Sequence, residues 1–505
     1  MDSQKRLTSD VTHSVGSDGP VLDDIGLMID RASDQRDESG LRRAIQRCDE
    51  VERDLPVNGV PVLLYFRANA YGALLDLSGH NDEWSWSNPE LEAQIFNLRR
   101  AVAHRAFPAL AELRRLQIFT NLANSLNHLG RSIEALEVYD SALAVSPKFG
   151  MALGNRGIAR SHFARSLWVK SHRLNGMILA CEDLKGAQSA DVLWDSGGYP
   201  YAKRVFMAEI SRIERLVDID ALRVYTGSDR AQLGRSKAER TYRIWALINR
   251  LFINPLNVFG RDAVGAADCL TLPRHRAKLH DPPQYIAWFN SILQEFVLAR
   301  LLLYEGTVLG GNHFADRGVT LIDTLDDPAY SISIEKARLS FRSAYSLLDK
   351  IAGFLNAYLD LHIDPQQVTV RRLWHQKQAI REQFERRPNW HLRGLYWLSR
   401  DIVDDQDEDA DNTLEPDARD LKKLRNALEH RCLTLRYMDD GNEMGIVETT
   451  SLEAFAAKAL KLLKLVRAAI IHLALAVYYE ERHRRPTESG PWLGARLPSY
   501  RRTQR

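Results

Sequence analysis

The sequence predicts an all-α protein, a helical solenoid followed by a helical bundle. Three observations carry this. Apolar residues recur at helical period through most of the chain, whereas the alternation expected of strands is sparse. One stretch restarts after 34 residues, between Asn121 and Asn155. Two long helices with continuous apolar stripes dominate the C-terminal half. A chain of 505 residues is too long for one ordinary core. The expected units are a polar, disordered tail over 1–20, a repeat domain over 21–205, a connector over 206–280, a bundle over 281–485 and a basic tail over 486–505.

Composition narrows the function classes. Hydrophobic content of 45% and charged content of 27% are ordinary for a globular protein. The formal net charge of +2 gives no global affinity for polyanions, so contact with nucleic acid must come from local patches. Cys48, Cys181, Cys269 and Cys432 lie far apart and form no C-x-x-C pair, which argues against a zinc site or a disulfide framework and suits a reducing compartment. The first twenty residues lack an apolar signal core. The longest apolar run, Ala468 to Tyr479, falls short of the about 20 residues that span a bilayer and reads as a buried helix. The expectation is a cytoplasmic protein with no membrane partner.

The solenoid begins with "GLRRAIQRCDEV" (40–51) and "VPVLLYFRANAYGALLDL" (60–77), followed by "NPELEAQIFNLRRAVAH" (88–104) after a loop holding Trp84 and Trp86. The clearest unit is "IFTNLANSLNHLGRSIEALEVYDSALAVSPKF" (118–149), which resembles a tetratricopeptide repeat. Leu122, Ala123, Gly130, Tyr139, Ala142 and Pro147 take its small, apolar and terminating positions, and "GMALGNRGIAR" starts the pattern again. One such unit cannot bury its own apolar face, so weaker pairs must flank it. The concave side of the stack is an expected binding surface.

In the connector, "YRIWALINRLFINPLNVFG" (242–260) is expected to break at Asn254-Pro255, because proline lacks the N–H and restrains its predecessor. "YIAWFNSILQEFVLARLLLYEG" (285–306) is apolar on most sides and should be buried. Phe341, Tyr345, Leu348, Ala352, Leu355 and Leu359 form one stripe; Phe455, Ala459, Leu462, Val466, Ala469, Leu473 and Val477 form another. Long helices joined by loops fit an up-and-down bundle. The acidic stretch Asp401 to Asp411 reads as a solvated loop; without EF-hand spacing it does not suggest a metal site. The arginine-rich end (Arg482, Arg484, Arg485, Arg496, Arg501, Arg502, Arg505) reads as a solvated tail, with RNA backbone as the other reading.

Arg-x4-His occurs four times, so spacing alone decides nothing. Arg386/His391 encloses Pro388 and cannot lie on one regular helix. Arg99/His104 reads as a solvated helix face. Arg467/His472 lies among apolar neighbours and reads as a core pair. Arg425/His430 lies in "DLKKLRNALEHRCLTLR" (420–436), where Leu421, Leu424, Leu428, Cys432 and Leu435 form an apolar stripe. Lys422, Arg425, Asn426, Glu429 and His430 then share the polar face. At about 100° per residue, Arg425 and His430 stand about 140° apart and flank a phosphate-sized space; a second copy of the helix could complete the site across a two-fold axis. Arginine offers a fork of donors to a phosphate. Histidine can act as general base or acid. Asparagine can orient the histidine or donate to an oxyanion. Lys422 adds positive potential. The competing reading is an exposed helix with pairs such as Arg425–Glu429.

"LRNALEH" resembles the signature of the HEPN superfamily, all-helical ribonucleases and nucleotide-binding proteins of prokaryotic toxins and defence systems. The helix "SFRSAYSLLDKIAGFLNAYLDL", the connector "LFINPLNVF…AADCLTLP" and the preceding repeats are together similar to a branch of that superfamily fused to tetratricopeptide repeats. The resemblance implies a metal-independent endoribonuclease without cofactor. Attack of a 2′-hydroxyl on the adjacent phosphate would leave a 2′,3′-cyclic phosphate. Arg425 and His430 are then the catalytic pair and Asn426 the polar motif residue; Lys422, by its charge alone, is a further candidate phosphate contact. It also implies a homodimer with shared sites, a role in stress or phage defence, and a sensor or partner-binding surface on the repeats. Two alternatives from other classes stay open: a non-catalytic scaffold, and a nucleotide-binding regulator, although no P-loop or G-x-G-x-x-G cradle supports the latter.

Overall fold

A computed structural model of the chain describes residues 19–79, 85–195, 199–217, 233–276, 282–311, 313–322, 329–377, 379–403, 413–437, 448–484 and 492–493. The protein is all-α, as its periodicity predicts; strands among the described residues form only three short pairs.

The N-terminal half is a succession of packed helices: α1 (Pro20–Asp34), α2 (Glu38–Val51), α3 (Val60–Ser78), α4 (Pro89–Ala103), α5 (Glu112–His128), α6 (Ser132–Val145), α7 (Gly150–Arg165), α8 (Lys170–Gly186) and α9 (Pro200–Leu216). Proline or asparagine marks several starts. Pro20, Pro61, Pro89 and Pro200 stand in first turns, where their missing N–H costs nothing. The Asn88 side chain caps α4 by accepting from Leu91 N at 3.1 Å. Helices pack mainly as consecutive pairs, α3 with α4, α5 with α6 and α7 with α8. The recurring asparagines have a job in this stack. Asn121 on α5 donates to Asn69 on α3 at 3.3 Å, and Asn155 on α7 donates to Asn124 on α5 at 3.0 Å. Gly157 passes so close to α8 that a Cβ there would stand 2.7 Å from Leu184 Cγ.

The connector holds α10 (Lys237–Ile248) and α11 (Leu256–Phe259). The helix ends earlier than Asn254-Pro255: α10 stops at Ile248, and Arg250 takes a left-handed φ of 55°. Leu251 to Pro255 then run buried through the middle of the molecule. Their backbone groups are satisfied by side chains of the connector and of the bundle, as burial requires. Ile253 N donates to Asp268 Oδ1 at 2.7 Å; Leu251 O accepts from Arg300 and Phe252 O from Arg467.

The bundle comprises α12 (Gln284–Tyr304), α13 (Ile332–Tyr358), the short α14 (Glu382–Glu385), α15 (Trp390–Ser399), α16 (Ala418–His430) and α17 (Leu452–His483). All seven residues of the α17 stripe are buried, as is the whole run Ala468–Val477. On α13 the stripe holds, with Tyr345 half-buried and Leu359 just beyond the helix end. The expectation for α12 needs correction. It buries one stripe (Phe289, Ile292, Phe296, Ala299, Arg300, Leu303) and leaves Leu298 exposed. With the π-helical turn Glu305–Leu309 it is long and apolar enough to cross a membrane by length and composition, with 33% of its most apolar window buried.

Two charged segments are also corrected. Arg99 is not on a solvated face: it is buried and bonds Asp401 Oδ1 at 2.7 Å and Glu134 Oε1 at 2.6 Å. Asp401 is therefore not part of a solvated loop; Arg131 also holds it, at 2.6 Å. Residues 404–412, the rest of the acidic run, lie outside the described residues, as do most of the 1–20 tail, Trp84 and most of the basic end. Within that end, Trp492–Leu493 pairs antiparallel with His275–Arg276, so it is not wholly a solvated tail.

Candidate functional site

Helix α16 buries Ala418, Leu421, Leu424 and Ala427, and packs on α13. Lys458 and Lys461 of α17 fix its start, reaching Asp420 at 2.8 Å and Asp417 at 3.2 Å. The helix ends at His430, earlier than the five-residue apolar stripe requires. Leu428 is only half-buried and Cys432 is exposed beyond the end; Leu435 lies in a strand. That strand, Leu433–Arg436, pairs in parallel with Glu448–Ser451.

Arg425 and Asn426 are brought together. Arg425 Nη1 donates to Asn426 Oδ1 at 2.9 Å, so the asparagine orients the arginine. The guanidinium also stands 5.6 Å from the centre of the Tyr345 ring on α13, within cation–π range. Arg425 opens onto a small recess of about 40 Å³ that is open to solvent. Tyr345 and Asp349 of α13 form one wall, the loop Thr369–Arg371 a second, and Ile402 and Val403 a third.

His430 is apart from this recess. It is exposed, at the last position of α16, and is not among the residues lining the recess. Lys422 lies one turn before Asn426, half-buried and also outside the recess lining. Glu429 reaches Arg342 of α13 at 3.5 Å.

The other Arg-x4-His pairs separate cleanly from this one. Arg386 caps α14 while His391 begins α15. Arg467 and His472 are both buried in α17, and His472 Nδ1 lies 3.2 Å from His391 Nδ1. Burial lowers the His391 imidazole to about 3. Burial, then the neighbouring His391 and Arg131, push His472 far below its usual value. Two rings held neutral in a core are poor acid–base catalysts near neutrality.

Sequence reasoning missed Asp349, Thr369 and Arg371. They are distant in sequence from α16, and nothing local in "QQVTVRRLW" marks them. Tyr345 was visible, but only as a member of an apolar stripe.

Chemically, the arrangement offers a positioned guanidinium at a recess and, separately, an accessible imidazole. Among the described residues no group of three or more His, Cys, Asp or Glu is placed to hold a metal ion. No curated protein and no solved structure matches the chain. Residues 276–480, less than half of the chain but including α12 to α16 and most of α17, match the family described as LA2681-like HEPN, and this match supports placing the protein in the HEPN superfamily.

Proposed function

We propose that this protein is a metal-independent endoribonuclease. The observation that carries the reading is the placement of the motif. Arg425 is held by Asn426 at the mouth of a recess, while His430 stays accessible on the same helix, within a segment that matches a HEPN family. Arg425 stabilises the charge that develops on the scissile phosphate. His430 takes the 2′-hydroxyl proton or protonates the leaving 5′-oxygen. The 2′-oxygen bonds to phosphorus and the 5′-oxygen bond breaks, leaving a 2′,3′-cyclic phosphate and a 5′-hydroxyl.

The separation of His430 from the Arg425 recess favours a site shared between two copies of the chain. The N-terminal helices serve as a sensor or partner-binding module of tetratricopeptide type. Their contacts support this: Arg99 reaches Asp401, Leu414 O and Glu415, on either side of residues 404–412 and just ahead of α16. The setting we propose is cytoplasmic stress or phage defence.

The test is end chemistry. RNA incubated with the purified full chain in EDTA should yield fragments ending in 2′,3′-cyclic phosphate. Intact RNA, with partner proteins captured by the N-terminal helices, would favour a scaffold; a bound free nucleotide without RNA turnover would favour a regulator.

A further inference from the structure

Arg99 on α4 touches both approaches to the motif helix. Its Nη1 donates to Asp401 Oδ1 at 2.7 Å, just after α15, and to Leu414 O at 3.0 Å, just before α16. The same nitrogen lies 3.5 Å from Glu415 Oε2, and Nη2 donates to Glu134 of α6 at 2.6 Å. Arg131, next to α6, grips the same Asp401 carboxylate at 2.9 and 2.6 Å. Arg99, Arg131, Asp401 and Glu415 are all buried. A buried ion pair that loses one partner leaves an uncompensated charge, so such a cluster tolerates few other geometries. Two short paths lead from it to Arg425. The first follows the chain after Asp401. Ile402 and Val403 line the Arg425 recess, and Val403 O accepts from the Tyr345 hydroxyl at 3.4 Å. The ring of that tyrosine is the one the Arg425 guanidinium faces at 5.6 Å. The second path runs through Glu415. Its backbone O accepts from Ala418 N, the first residue of α16, at 3.1 Å, and its carboxylate bonds Lys461 of α17 at 2.6 Å. Leu414 N also donates to Arg400 O at 3.2 Å, which ties the two approaches together.

We infer that Arg99 is a positioning residue for Arg425: by clamping Asp401 and Leu414-Glu415 together, it makes the placement of the motif helix depend on the N-terminal helices. The inference rests on the RNA-cleaving reading for what Arg425 does, and it names the route by which the N-terminal module governs the site. Arg99 is buried and acts only through other groups. A general brace between the N-terminal helices and the bundle is the competitor. A brace acts on the whole junction; a positioning contact acts on α16 first.

The experiment follows backbone hydrogen exchange and RNA cleavage in the full chain, well below the thermal midpoint of each variant. Arg99→Lys keeps the charge but loses the fork that reaches Asp401, Glu134 and Leu414 O at once. Amides 421–430 should then exchange about tenfold faster, whereas amides of the buried run 468–477 in α17 keep the wild-type rate. The kcat for cleavage should fall about tenfold with KM unchanged, because the Arg425 guanidinium is misplaced and not removed. Glu415→Gln loosens the same cluster without altering Asp401 and should give the same pattern to a smaller degree; it decides the matter if Arg99→Lys does not fold. Wild-type exchange of 421–430 in the folded variants overturns the inference. So does an equal rise throughout α4, α15, α16 and α17, which is the signature of a brace, and so does an unchanged kcat beside faster exchange. The two readings fail separately. Selective loosening of α16 in a chain that cuts no RNA removes the ribonuclease reading alone. RNA cleavage with wild-type exchange and wild-type kcat in both variants removes this inference alone.

Discussion

Asn426 gives the motif its sense at the scale of single residues. Its side-chain oxygen accepts from Arg425, and an oriented guanidinium loses less freedom when it meets a phosphate. Asn426→Ala should therefore reduce single-turnover RNA cleavage about tenfold, or about 1.4 kcal/mol of barrier, with little change in thermal midpoint. A rate equal to wild type would mean that the asparagine is not what positions the arginine. The sequence shows residue types and intervals well, and it shows the angular gap between Arg425 and His430. It does not show partners far along the chain. Arg99 looks like any surface arginine of an amphipathic helix. What buries it is Asp401, 302 residues away.

Stripes were the most legible feature at the scale of elements. Every predicted core position of α17 is buried, because its apolar period runs without a break through a long helix. The end of α16 was not legible. Leu435 continues the helical period from Leu424 and Leu428, but it equally follows Leu433 at strand spacing. The parallel partner that makes it a strand, Glu448–Ser451, lies beyond the reach of local pattern. The pairing of α15 with α17 yields a pH prediction. His391 and His472 are buried and neutral in the folded protein, with affinities for protons below the unfolded value. Unfolding lets both bind protons, so stability is full above about pH 6.5 and falls as pH drops toward 3, by about 1.4 kcal/mol per unit for each histidine. Denaturant titrations across this range check it. Replacing His472 by glutamine should flatten the slope, and an unchanged slope would contradict the assignment.

The whole molecule is held together by crossing braces rather than by a flexible hinge. Arg250 of the connector pairs with Asp140 of α6, and Arg300 of α12 pairs with Asp268. Lys464 of α17 pairs with Glu137 of α6. Trp86, from the loop before α4, packs 5.2 Å from Tyr396 of α15. Gly130, at φ 84°, lets the turn between α5 and α6 approach Trp390 closely. Asp401 is the most exposed to test. Burial alone would raise its carboxyl, but Arg131 and Arg99 outweigh that and hold it well below the usual range. Asp401→Ala leaves two buried guanidiniums short of a partner and should cost about 3–5 kcal/mol, read as a lower denaturation midpoint. A loss under about 1 kcal/mol would show that the brace is dispensable. The helical class was visible in the sequence; the joining of the N-terminal helices to the C-terminal ones was not, because it depends on side chains that meet only after folding.

The central claim is that Arg425 and His430 together cut RNA. The most direct measurement is cleavage of one labelled RNA, in EDTA, by Arg425→Ala and His430→Ala chains, each shown to keep the wild-type thermal midpoint. The account predicts that each variant alone loses about a hundredfold or more. It also predicts that mixing them restores part of the activity, since a mixed pair of chains can assemble one intact site. Undiminished cleavage by both variants would contradict the claim outright, and two inactive variants that stay inactive when mixed would contradict the shared site.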